Sequence, residues 1–243
     1  MKRPPVTRPS ATIDLLRCHS LPSVVLQQLE GMILAGKFVP GSQLTEISLA
    51  SKLGVSRGPI REAFRGLEEK GLVRVEKNRG VFVRTISRAE ADEIYEVRVA
   101  LEALIVKKLA TMPDAVRKAK LEKLLAKAEK LARKEDFAGC HNCNMEFHDK
   151  LAELSGNAKL LDSYRKLVGE LSLFRLQAHE RIQDASSLHA SVSDHQAVLA
   201  AICIGDGRAA GRLIRAHVEA SRRRLQDLLS TSKPIIPPRF RAR

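Results

Sequence analysis

Between Thr45 and Val83 the spacing of apolar residues changes character twice, and the changes mark out a small domain. Ile47, Leu49, Ala50 and Leu53 follow Thr45 at helical spacing, and Gly54 ends the run. Gly54-Val55-Ser56 reads as a tight turn, with Ser56 placed to cap a second helix from Arg57 to Lys70 and Pro59 in its first turn. Ile60, Ala63, Phe64 and Leu67 form the inward face of that helix and leave Arg57, Arg61 and Arg65 on its outer side. The period then shortens. Leu72–Val75 and Val81–Val83 are two strand-like runs around Glu76-Lys-Asn-Arg-Gly80, a hairpin with Lys77 and Arg79 at its tip. Helix, turn, helix and basic hairpin in this order predict a winged helix-turn-helix, a DNA-reading head. Either helix alone would be an ordinary amphipathic helix, and its arginines an ordinary solvated face.

From Ser87 onward the period stays helical. Pro, Gly and Asn divide the chain into six segments: Ser87 to about Thr111, Pro113 to about Lys134, Phe137 to Ser155, Ala158 to about Arg181, Ser186 to Ile204 and Gly207 to Leu229. The first is expected to face inward with Ile94, Val97, Leu101, Leu104 and Ile105. Six antiparallel helices with short connections predict a bundle. The predicted fold is therefore mainly α, with a winged helix-turn-helix over residues 20–86 and an all-α six-helix bundle over 87–230. Flanking tails at 1–19 and 231–243 are expected to be basic and disordered.

Histidines interrupt the apolar series in the bundle. His148 lies four residues after Asn144 on the face that carries Leu151. His195 stands in the series Leu188, Val192, Leu199, Ile202, and His217 in the series Leu213, Ala220, Arg224. Two readings remain open from periodicity. The imidazoles could share a cation that takes neutral nitrogens, or each could be a separately hydrogen-bonded core histidine.

Charge supports a polyanionic partner. The formal net charge is +14, and residues 1–86 hold 14 Lys and Arg against 7 Asp and Glu. The longer remainder holds 28 against 21, so the head is the more charge-dense part. No apolar run is long enough to span a membrane and no signal-peptide core follows the N-terminus, so a cytoplasmic location is expected. Four irregularly spaced cysteines are expected to stay reduced. Cys140-His-Asn-Cys143 has a zinc-like spacing without a second pair and reads as packing.

The motifs Gly36-Lys-Phe-Val-Pro-Gly-Ser-Gln-Leu44, Leu53-Gly-Val-Ser-Arg-Gly-Pro-Ile-Arg-Glu-Ala63 and Leu67-Glu-Glu-Lys-Gly-Leu-Val73 resemble the DNA-binding domain of the GntR family of bacterial regulators. The resemblance covers residues 20–86. It implies that Arg57 and Arg61 contact double-stranded operator DNA, that Thr45 and Ser56 hold phosphates, and that Arg79-Gly80 enters the minor groove as the wing. Ile47 departs from several relatives, which carry arginine there. Glu96-Val-Arg98, Leu101-Glu102, Asn144-x-x-x-His148, Asp194-His195 and His217 resemble the FCD effector domain of FadR-like regulators, in its six-helix VanR-type form. That resemblance implies a divalent metal held by Asn144, His148, His195 and His217, zinc first and nickel or manganese as alternatives. It further implies a small anionic effector met by Arg98. Asn144 stands where the family usually has Asp, which removes a charge from the ligand set.

Together these features predict a homodimeric regulator, a repressor rather than an activator. Its effector would be a carboxylate by default, or a phosphonate or other oxyanion, acting through a hinge near Thr85-Ile86-Ser87. A metal-dependent hydrolase would share the three histidines but needs a general base, and the chain has no HExxH, no GxSxG and no glycine-rich phosphate loop. A nonspecific nucleic-acid-binding protein would bind unrelated duplexes as tightly as any operator.

Overall fold

The computed structural model describes residues 20–112, 114–177 and 185–231. The two tails, Cys18, Pro113 and Arg181 lie outside the described residues. The chain divides into two compact units between Ile86 and Ser87.

The first unit opens with α1 (Leu21–Leu34), capped by Ser20 and carrying Pro22 in its first turn. It was not singled out in the apolar pattern, although Ser20-Leu-Pro22 is a good helix start and Val25, Leu29, Met32 and Ile33 are its buried face. After β1 (Gln43–Leu44) come α2 (Glu46–Leu53) and α3 (Arg57–Glu69), then β2 (Val73–Glu76) and β3 (Gly80–Val83). Thr45 caps α2 through Ser48 N at 3.4 Å, and Gly54 ends it in the left-handed conformation that glycine adopts without strain. Ser56 occupies the N-cap of α3 with extended backbone, but its hydroxyl makes no capping bond. The capping role expected of it is therefore not seen, and the side chain is left exposed.

Ile60, Ala63, Phe64 and Leu67 are buried as the period required. Helix α3 also lies close to α1 at Gly66, where a Cβ would come within 2.8 Å of Leu26 Cδ2. The sheet is three-stranded in the order β1-β3-β2, all antiparallel, with Glu76 opposite Gly80 and Gln43 opposite Phe82. The two-residue β1 is too short to show a period, so the expected hairpin gains a strand.

The second unit contains α4 (Arg88–Ala110), α5 (Ala115–Ala132), α6 (Phe137–Leu154), α7 (Ala158–Gln177), α8 (Ala185–Cys203) and α9 (Gly207–Thr231). Ser87 caps α4 through Glu90 N at 3.1 Å. Helix α4 packs against α9, α7, α6 and α8, and α5 against α6 and α8. Ile94 and Ile105 of α4 are buried as expected, but the rest of its buried face differs. Val97 and Leu104 are 50% and 52% exposed, whereas Tyr95, Arg98, Glu102, Val106 and Leu109 are buried. The inward face carries an ion pair, and a count of apolar residues alone rotates the helix away from it. For the same reason Leu213 is exposed on α9, where Ala210, Ile214, His217 and Val218 form the inner row. Cys140 and Cys143 are buried among Ala128, Ala132 and Val192, which is the packing role expected of them; Cys203 is exposed. Among the described residues no helix is long and apolar enough to cross a membrane.

The wing turn generates a prediction. Gly80 has φ +111°, and a Cβ there would sit 2.7 Å from Gln43 Nε2, which donates at 2.8 Å to the Arg79 carbonyl. Gly80→Ala should lower the stability of the first unit by about 1–3 kcal/mol, read as an earlier calorimetric unfolding transition of the full chain. An unchanged transition would contradict the strain described at this turn.

Candidate functional site

Two groups of side chains stand out, one in each unit. In the first unit the outer face of α3 presents Arg57, Arg61 and Arg65. The side chains of Arg57 and Arg61 are 55% and 58% exposed, yet neither is loose. Glu46, in the first turn of α2, accepts from Arg57 Nε at 3.0 Å and Nη2 at 2.9 Å through Oε2, and from Arg61 Nε at 2.8 Å through Oε1. The hydrogen bond from Arg61 holds the Glu46 carboxyl below its usual range, against the opposing effect of burial and with help from Arg57. At the wing, Glu76 pairs with Arg74 Nη2 at 2.9 Å and Arg79 Nη1 at 2.5 Å, and both guanidinium groups lie near the Phe82 ring, at 5.8 and 5.9 Å from its centroid. Thr45 and Ser56 are exposed at the starts of α2 and α3. Sequence reasoning found Arg57, Arg61, Arg65 and Arg79 and missed Arg74 and Glu46; an acid eleven residues before Arg57 does not advertise itself as its partner.

In the second unit His148 of α6, His195 of α8 and His217 of α9 come together at 1%, 2% and 3% exposure. Their Nε2 atoms are 3.1 Å (His195–His148), 3.1 Å (His195–His217) and 3.3 Å (His148–His217) apart. The convergence that periodicity left open is thus present. The back of each ring explains its orientation. His148 Nδ1 is 2.6 Å from Glu102 Oε2, and His217 Nδ1 is 3.1 Å from Asp194 Oδ2. A carboxylate accepts, so each Nδ1 carries the proton and each Nε2 turns a lone pair toward the centre. His195 can donate to only one of the other two. At least one pair of lone pairs therefore faces without a proton between them, which a shared cation would relieve.

The donor set fits such an ion. Three bonds of about 2.0–2.1 Å at angles near 100° would place the nitrogens about 3.2 Å apart, matching the observed triangle. Burial pushes His148 down to about 4 even though Glu102 pulls the other way, and burial with the neighbouring imidazoles holds His195 well below its usual value. Neutral imidazole is the form that binds a metal.

Asn144 is half-buried on α6, and its Oδ1 accepts from Ser191 Oγ at 3.4 Å. The cluster of three potential ligands comprises the histidines alone among the His, Cys, Asp and Glu of the described residues. Arg98, only 1% exposed, donates through Nε to Glu102 Oε1 at 2.5 Å and sits 5.8 Å from the Tyr95 ring. Glu102 is the counter-charge of this buried guanidinium. Burial alone would raise the Glu102 carboxyl, but Arg98 and His148 hold it at about 2, so it stays ionised.

Arg175 of α7 donates to Tyr95 Oη at 3.1 Å and to Met145 Sδ at 3.5 Å, while the Tyr164 hydroxyl is buried without a hydrogen-bond partner among the described residues. Glu102, Asp194, Tyr164 and Arg175 were not picked out as site residues. The signal for Glu102 was its position one turn after Arg98. Glu146 pairs with Lys127 and Asp149 with Arg165.

Comparison with known proteins gives each unit a family. Residues 21–83 match the bacterial regulatory proteins of the gntR family, and residues 93–220 match the FCD domain. The HTH-type transcriptional regulator YdhC of Bacillus subtilis is 37% identical over 134 residues, an alignment covering 55% of this chain and 60% of the relative, short of two thirds of its length. The Escherichia coli HTH-type transcriptional repressor RspR is 24% identical over 180 residues, 74% of this chain and 78% of that one. Among solved structures, Escherichia coli McbR/YncC superposes with a TM-score of 0.75 at 23% identity, covering 86% of this chain and 98% of that chain, a likeness of fold.

The depressed histidines fix the sign of a pH response. In the unfolded chain they titrate near 6.5, whereas His148 in the fold binds a proton only near 4. The unfolded state therefore takes up more protons as pH falls through this window. Stability of chelator-treated protein should drop between about pH 6.5 and 4, by roughly 1.4 kcal/mol per pH unit for each such histidine. Urea denaturation across this range measures it. The His148→Asn variant should show a shallower slope, and an identical slope would remove His148 from the account.

Proposed function

The chain belongs to the GntR family of bacterial regulators and carries an FCD domain, which makes it a DNA-binding transcriptional regulator; on that premise we propose a homodimeric repressor controlled by a small carboxylate at a metal-holding centre. The observation that carries the effector half of this reading is the triangle of Nε2 atoms at 3.1–3.3 Å, backed by Glu102 and Asp194.

His148, His195 and His217 would hold the ion, with Asn144 as a fourth, neutral ligand whose amide oxygen keeps a second lone pair beside its bond to Ser191. Zinc suits three imidazoles best, with nickel or manganese as alternatives. Bound among neutral ligands, a divalent ion would supply positive charge that Glu102, already balanced by Arg98, does not cancel. That surplus favours a carboxylate, or a phosphonate of similar size. Arg98 would orient the anion, and the unpartnered Tyr164 hydroxyl is available to donate to it. Because α4 follows directly on its cap Ser87, the first residue after the boundary, and carries both Arg98 and Glu102, a ligand that shifts these residues acts on the helix joined to the head. The joint is Thr85-Ile86-Ser87.

In the head, Arg57 and Arg61 would meet base edges or phosphates, Thr45 and Ser56 phosphates, and Arg79-Gly80 the minor groove. Two heads related by a two-fold axis would read a near-palindrome. A repressor is favoured because RspR is one by name.

Two outcomes follow. His148→Ala and His217→Ala should lose bound metal in elemental analysis and melt earlier, while Asn144→Asp should retain metal against stronger chelation. Metal-free parent protein with unchanged melting in both Ala variants would return the histidines to plain core residues. A carboxylate that loosens operator DNA should itself be loosened by operator by the same factor, a coupling of about 1–3 kcal/mol. Calorimetry with and without DNA measures it, and Arg98→Ala should abolish the response. A carboxylate that binds Arg98→Ala as tightly as the parent rejects the assigned role.

A further inference from the structure

A DNA-reading helix gains from arginines, but an arginine is equally attracted to any phosphate, and phosphates are the same at every sequence. In this head one carboxylate stands between the two demands. Glu46 spends both oxygens on the recognition helix, Oε2 on Arg57 and Oε1 on Arg61. The two arginines are not engaged alike. Arg57 gives up Nε and Nη2 to Glu46, so one edge of its fork is occupied. Arg61 gives up only Nε in these contacts, at 2.8 Å, and keeps both terminal nitrogens on a side chain that is 58% exposed.

We propose that Glu46 is a specificity-determining residue, which mutes the attraction of Arg57 and Arg61 for bare phosphate backbone and presents the Arg61 fork to base edges. The inference rests on Arg57 and Arg61 being the operator contacts. The physics separates two kinds of DNA acceptor. A phosphate is an anion, repelled by the Glu46 carboxylate and attracted to a triad whose net charge is +1 in place of +2. Guanine O6 and N7 are neutral acceptors that need two N–H donors at fixed spacing, not net charge. Anchoring Nε leaves the terminal nitrogens as that pair and restricts the side chain before contact, which lowers the ordering cost of a specific bond. The same economy recurs at the wing, where Glu76 is paired with Arg74 and Arg79. Glu46 thus acts through the arginines and needs no DNA contact of its own.

The test compares a duplex enriched from a random library by repeated binding to this protein with the unselected starting pool. Glu46→Gln keeps the side-chain size and removes the charge. It should bind the pool about threefold to tenfold more tightly than the parent, with a log–log salt slope steeper by one to two, because one or two more phosphates are neutralised. Its affinity for the selected duplex should rise less or fall, so the ratio of selected to pool affinity drops. Glu46→Asp, which retains the charge, should keep that ratio near the parent value, and this arm separates the electrostatic role from a merely structural one. An unchanged or higher ratio in Glu46→Gln, with an unchanged pool salt slope, overturns the inference. Arg61→Ala is the control on the premise. If it binds the selected duplex as the parent does, the operator-contact reading itself fails; if it weakens that binding while Glu46→Gln leaves the ratio intact, only the role of Glu46 falls.

Discussion

The interior of the second unit depends on a single buried carboxylate. Glu102 receives Arg98 on one oxygen and His148 on the other, and all three side chains are almost fully enclosed. Remove it in thought and two errors appear together. Arg98 becomes a cation in a low-dielectric interior, a loss usually costing about 3–5 kcal/mol, and His148 loses the acceptor that sets its tautomer. His148 then has no reason to turn Nε2 inward, and the triangle with His195 and His217 loses a corner. An apolar trio of similar volume would serve stability equally well or better. A helix that buries Arg and Glu where leucines would pack is therefore built for what the polar groups do. That expectation matches the location of the histidines directly behind them.

Much of this architecture is readable along the chain, and the gaps have a common cause. Helices α2 and α3 and the hairpin could be placed because period, caps and turn residues agree locally. Helix α1 carries equally good signals but stands before a glycine-rich connection with nothing to mark it as part of a motif. The inward face of α4 was misassigned at Val97 and Leu104 for a different reason. Arg98 and Glu102 satisfy each other at i,i+4, so polarity there no longer means solvent. Periodicity could nominate each histidine in its own helix, and Asn144 beside His148. Only packing could bring His148, His195 and His217 within 3.3 Å, and only packing could show that Ser191 already engages Asn144.

The two units use the same chemical device under opposite conditions. In each, a glutamate divides its oxygens between two cationic or proton-donating partners. Glu46 does so at the surface, where water screens the attraction and an isolated pair is worth about 0–1 kcal/mol. Its partners can let it go at little cost. Glu102 does so out of water, where no competitor is available and the pairing is fixed for the life of the fold. The surface pairing can open, and the buried one cannot.

The spread of the three imidazoles along the chain has a consequence for synthesis. His148 and His217 are 69 residues apart, and the last of them lies in the final described helix. A growing polypeptide displays the first two corners of the triangle while the third is still unmade, and domains acquire structure in the order in which they emerge. The first unit can therefore be complete while the histidine triangle does not yet exist. The triangle is the last part of the two units to be completed, and a chain cut short before His217 would lack its third corner.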